Sequence, residues 1–230
     1  MMMTTPQHNA VCTINRRSFL AILACLPTLA LAETSCCGPM TAEGERLRKF
    51  LDHTNVENLW LPGFQINWQT GESGKAWPAG SGAHTHCSAF AASAAMRVGV
   101  YLLRPPEHRQ NLLANAQMGW LASPKGTDSG WQAVADVVAA QTQANQGMLV
   151  VAAFENPDPN KPGHIAIVRP DLISGAKLEK SGPMMTQAGL HNALEVSLAK
   201  GFSSHPGAWK PGGTGGVRFF AHSVDWKQVK

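Results

Sequence analysis

The chain has 230 residues, of which 44% are hydrophobic and only 15% charged, enough apolar material to bury one substantial core. Its formal charge of +4 comes from 19 basic and 15 acidic residues. No run of Lys and Arg and no stripe of mixed aromatic and basic residues occurs, so composition argues against a nucleic-acid partner.

The amino end reads as an export signal. Asn15-Arg16-Arg17-Ser18-Phe19-Leu20 opens an apolar run that ends at Ala32, and Ala30-Leu31-Ala32 puts small residues where a signal peptidase reads. Residues 1–32 are therefore expected to be a signal peptide, and the protein to be exported, to the periplasm or the medium. The paired arginines before Phe19-Leu20 resemble a twin-arginine signal. Pro27 interrupts the apolar run, which is too short for a stable membrane span. Loss of Arg16 and Arg17 leaves 17 basic against 15 acidic residues, a net of +2.

Cys12 and Cys25 leave with the signal, so the mature chain keeps Cys36, Cys37 and Cys87. The adjacent pair has three readings: a vicinal disulfide, a metal pair, or the favoured one, no role within a flexible linker over residues 33–40. Residues 41–230 read as a single domain.

Thr41 to His53 has helical periodicity, with Leu47, Phe50 and Leu51 on one face and Thr41 as N-cap. Phe64 to Trp68 alternates like a strand, and Thr70 to Gly74 turns the chain. A Gly, Pro and Ser loop then leads into His84-Thr85-His86-Cys87-Ser88-Ala89-Phe90 and a run of small helix formers, which puts Cys87 in the first turn of a helix. Two more helices are predicted, over Glu107 to Leu121 with Pro106 in its first turn, and over Trp131 to Gln146, capped near Asp128 or Ser129 and stopped by Gly147. Ser123 to Gly130 between them reads as a loop. Strands are predicted at Met148 to Phe154, His164 to Arg169, Pro183 to Ala188 and Val217 to His222, with a glycine-rich loop at Pro211 to Gly216. Helices first and strands afterwards predict an α+β fold, its N-terminal helices packed on one face of a small antiparallel sheet.

The chemistry turns on Cys87. Free N–H groups and the dipole at a helix start favour a thiolate, and the small residues that follow let the helix pack closely and hold the sulfur still. A thiol nucleophile also needs a base, which in turn needs a polar group to fix its ring. His164, at the first residue of a strand after Pro162-Gly163, is the candidate base; eight other histidines compete with it. His84-x-His86-Cys87 also places three metal donors within four residues, but no second compact cluster accompanies it, and no metal or other cofactor is expected.

In this order, Cys87-Ser88-Ala89-Phe90, Gly147-Met148-Leu149-Val150-Val151, Gly163-His164-Ile165-Ala166-Ile167-Val168 and Met184-Met185-Thr186-Gln187-Ala188-Gly189 resemble the NlpC/P60 family of papain-like cysteine peptidases, bacterial enzymes that act on cell-wall peptides. The resemblance implies a papain-like catalytic domain in which Cys87 is the nucleophile, His164 the general base and later acid, and Gln187 the group that orients His164. The backbone N–H of Cys87 would serve the oxyanion hole. It also implies peptidoglycan stem peptides or cross-links as substrate, cut by hydrolysis or transferred to an amine, with an inhibitory protein left open. The chain departs from the family at His86 and Met148, where Asp is common, at Gln187, where His is common, and in the 77 residues that separate Cys87 from His164. Asn192, His191 and His222 are rivals of Gln187 for the orienting role. A non-catalytic wall-binding module and a His/Cys metal protein of the same fold are the alternative readings.

Overall fold

The computed structural model describes residues 35–213 and 215–229; the segment expected to be a signal peptide, with Cys12 and Cys25, lies outside them. The helices are α1 (Ala42–Asp52), α2 (Cys87–Arg97), α3 (Leu113–Leu121), α4 (Pro124–Asp128), α5 (Val137–Asn145), α6 (Gly175–Ser181) and α7 (Leu198–Gly201). The strands are β1 (Phe64–Ile66), β2 (Ser73–Ala76), β3 (Gln132–Val134), β4 (Leu149–Phe154), β5 (His164–Val168), β6 (Met184–Gln187), β7 (Ala193–Ser197) and β8 (Arg218–His222). β1 and β2 form a small hairpin; the other six form one sheet in the order β3-β8-β4-β5-β6-β7, antiparallel at every pairing. The fold is α+β.

The sheet is covered on both faces, where helices on one face were expected. Leu149, Val151, Ala153, Ile165 and Ile167 face one cluster with α1, α2 and α3, while Val150, Ala152, Phe154, Ala166 and Val168 face a second with α5 and α7. Both central strands are therefore buried along their whole length, the physical meaning of their unbroken apolar sequences. α2 is the most deeply set helix: Cys87 through Ala95 are all buried, and every one but Phe90 is small, which permits that density. Arg169, just past β5, is buried and pairs with Asp52 at the end of α1 and with Glu195 on β7 at 3.0 Å.

Three predicted elements are corrected. The helix expected over Glu107 to Leu121 is confined to α3, which follows a left-handed Leu112, and Pro106 opens no helix. The helix expected over Trp131 to Gln146 divides into the edge strand β3, paired with β8, and α5, capped by the Asp136 side chain on the Ala139 N–H. Trp131 is buried and donates its indole N–H to the Tyr101 carbonyl, and this anchor holds the chain extended where periodicity favoured a helix. The loop predicted over Ser123 to Gly130 contains the short helix α4, with Pro124 in its first turn.

The segment expected to be a flexible linker is also tied down. Cys36 and Cys37 form a vicinal disulfide, Cys37 is 2% exposed against Ile173 and Leu178, and the Cys36 N–H donates to the Ile173 carbonyl. Burial of one sulfur of the pair replaces the role-free reading.

Candidate active site

α2 begins at Cys87 itself. Its N-cap is His86, whose side chain makes no cap bond and instead holds the Phe64 carbonyl at 2.8 Å, tying the helix start to β1. The first N–H groups of the helix are thereby left for other acceptors. Burial pushes the Cys87 thiol up from its ordinary value, while the N–H groups of Ile165, Ser88 and Cys87, directed at the sulfur, work the other way. Cys87 is 5% exposed. Its sulfur lies against the peptide that joins His164 to Ile165.

His164 opens β5, opposite Phe154 on β4. The residue before it must be glycine, since a Cβ at Gly163 would drive into the Phe154 carbonyl and the Asn115 side chain. The ring Nε2 donates to Gln187 Oε1 at 2.9 Å, and the Gln187 amide donates in turn to the His191 carbonyl at 3.3 Å. This pairing fixes the Nε2–H tautomer of neutral His164 and leaves Nδ1 with a free lone pair. Burial lowers the His164 pKa to about 4, against the opposing pull of Gln187, so the ring is neutral at neutral pH. The carboxamide has close company: a Cβ at Gly201 would stand 2.5 Å from Gln187 Oε1, so α7 must end on glycine for the pair to form.

The structure thus brings His164 and Gln187 together in a buried hydrogen bond. Cys87 meets the backbone beside them, and among the described residues no hydrogen bond joins its sulfur to the His164 ring. The rivals for the orienting role are engaged elsewhere. Asn192 donates to the Val56 and Leu59 carbonyls and accepts from the Gly189 N–H, and His191 contributes only its carbonyl. The His222 ring lies 5.4 Å from that of Trp131 and contacts the Ser129 carbonyl.

Sequence reasoning missed His205. The turn after α7 stacks its ring on His164 at 5.3 Å and 14°, with Phe202 edge-on to His164 at 4.6 Å. Burial, and then the neighbouring His164, lower the His205 pKa to about 4 as well. Nothing in Ser203-Ser204-His205-Pro206 signals this, because the contact is made only when α7 folds back on β6 and β7.

Two clefts open here, one of about 880 Å³ with Cys87 on its wall and one of about 780 Å³ with His164, Gln187 and His205 on its wall; they share Ala83, Thr85 and Pro162. The metal reading of His84-x-His86-Cys87 finds no support in the geometry. His86 is held by the Phe64 carbonyl and His84 by the Ser81 hydroxyl, and among the described residues no three His, Cys, Asp or Glu side chains are grouped to hold a metal ion. No protein-family model and no curated protein matches this chain.

Proposed function

We propose that this protein is an exported thiol hydrolase of papain-like type that cuts an amide bond in peptidoglycan stem peptides or cross-links. The observation that carries the reading is the buried 2.9 Å contact between His164 Nε2 and Gln187 Oε1, made one peptide away from a sulfur at a helix start. An imidazole whose Nε2–H is committed to a carboxamide keeps Nδ1 as its basic nitrogen, which is what a nucleophilic thiol requires.

Catalysis begins from a neutral pair, since burial disfavours both the thiolate and the imidazolium. As substrate displaces water from the clefts, His164 Nδ1 takes the thiol proton and Sγ attacks the amide carbonyl. The N–H of Cys87 and its neighbours at the α2 start stabilise the oxyanion that develops. The C–N bond breaks, the amine leaves with the proton from His164, and water then cleaves the thioester to a carboxylic acid and restores the thiol.

The test is digestion of purified muropeptides, with products weighed by mass spectrometry. The reading expects two products whose masses sum to that of the substrate plus one water, and intact substrate throughout would overturn it. A second reading, a non-catalytic wall-binding module, is favoured by the 5% exposure of Cys87 and its raised pKa, which an inert packed cysteine would share. Alkylation separates the two. The hydrolase reading expects iodoacetamide to label Cys87 at neutral pH and His164→Ala to slow that labelling, whereas the binding module expects no labelling of either chain.

A further inference from the structure

A separate hollow of about 470 Å³ opens beside the last turn of α2, and it shares no residue with either cleft of the candidate active site. Met96 on its wall stands nine residues after Cys87, about 13 to 14 Å along the helix at 1.5 Å per residue. Arg104 lies there half-buried, its guanidinium carbon 4.9 Å from the centre of the Tyr101 ring and 5.9 Å from that of Trp68. The rings hold the cation through their π faces, which leaves its N–H donors for a ligand. Among the described residues the Arg104 side chain makes no ion pair and no hydrogen bond, and neither does that of Glu107, an exposed acid on the same wall. Burial and then Glu107 raise the Tyr101 pKa, with Arg104 opposing them, so both charges act on one phenol without pairing with each other. Trp68, Met96, Pro105 and Pro106 add apolar surface to the hollow.

We propose that this hollow is a binding site for a small zwitterion, a free α-amino acid with an apolar side chain, whose carboxylate pairs with Arg104 and whose ammonium pairs with Glu107. A half-buried guanidinium without a partner suits a planar carboxylate, which it holds through two N–H donors. Glu107 decides against phosphate and other multiply charged anions, since a carboxylate on the same wall repels them, and it offers an ammonium its counter-charge. A ligand that carries both charges satisfies both groups at once. An anion alone would face the like charge of Glu107, and a cation alone that of Arg104. The apolar wall receives the side chain, and the volume lies within the range of about 300–1,000 Å³ usual for small-molecule sites. The site stands apart from the hydrolase reading, because neither Cys87 nor His164 takes part in it.

The test is calorimetric titration of the full chain with L-leucine, beside 4-methylpentanoate, which lacks only the ammonium, and 3-methylbutylamine, which lacks only the carboxylate. Saturable binding of leucine is expected, with each analogue weaker by about tenfold or more. Arg104→Gln and Glu107→Gln are each expected to weaken leucine about tenfold or more with circular dichroism unchanged. Glu107→Gln is also expected to tighten 4-methylpentanoate, because it removes the repelling charge. Glu107 is exposed, so its variant decides the matter even where Arg104→Gln disturbs the packing of the two rings. No saturable leucine binding up to about 20 mM overturns the site, as does leucine binding that neither substitution weakens. The two analogues stand for the carboxyl and amino ends of a peptide, and binding of either one as tight as that of leucine overturns the zwitterion and the proposal with it. Each of these outcomes leaves the hydrolase reading untouched.

Discussion

Three side chains hold the His164 ring: Gln187 on β6, and Phe202 and His205 in the turn after α7. His205 covers one face of that ring. Burial keeps the His164 ring neutral into acid, and a charge on His164 would in turn disfavour one on the parallel His205 ring 5.3 Å away. The other ionisable groups on the same cleft are Glu195, Lys200 and His191, and Cys87 lies across the first peptide of β5. A base must be unprotonated to work, so activity is expected to fall as pH drops through the His164 value of about 4. His205→Asn uncovers one face of the His164 ring, whose low pKa comes from burial, so the acid limb of kcat/KM is expected to move to higher pH while the neutral plateau changes little. An unmoved limb would reduce His205 to packing.

At the scale of elements, α2 is the part whose tolerance is narrowest. Ala95 is fully buried, and Ala95→Leu inserts three carbons where the helix is enclosed by core. The expected cost is about 1–3 kcal/mol, read as a lower urea midpoint, with hydrolysis falling because the helix start moves. Val138 on α5 is 45% exposed, and Val138→Thr is expected to leave the midpoint unchanged within about 0.5 kcal/mol. The same elements show what was legible in the sequence. α1 with its Thr41 cap, α2 from its first residue, and the four apolar or aromatic strands β4, β5, β6 and β8 are written in local pattern. β3, β7 and α7 are not. β3 is extended only because β8 and the Trp131 indole hold it, and β7 because β6 pairs with it, and neither partnership is visible in a short window. The His164–Gln187 contact was legible through the resemblance of the four blocks. His205 was not, since its partner is 41 residues away and on another element.

For the molecule as a whole, the two neutral imidazoles make stability depend on acid. Unfolded, both rings titrate near 6.5; folded, both titrate near 4. The unfolded chain therefore binds more protons between those values, so their contribution is fully present above pH 6.5 and is lost as pH falls toward 4. The loss is on the order of a few kcal/mol for enclosed His164 and less for half-exposed His205. Urea midpoints measured across this range are expected to drop steadily, and a flat profile would mean that the rings are not held neutral. Among the described residues no helix is long and apolar enough to cross a membrane. The same buried histidine ties the pH range expected for the proposed activity to conformational stability.

The most direct test is the rate at which the Cys87→Ala chain, shown by circular dichroism to be folded, releases product from purified muropeptides beside the native chain. Loss of the sulfur nucleophile is expected to lower kcat/KM by about 10⁴-fold or more. A folded Cys87→Ala protein that still cleaves within about tenfold of the native rate would contradict the account.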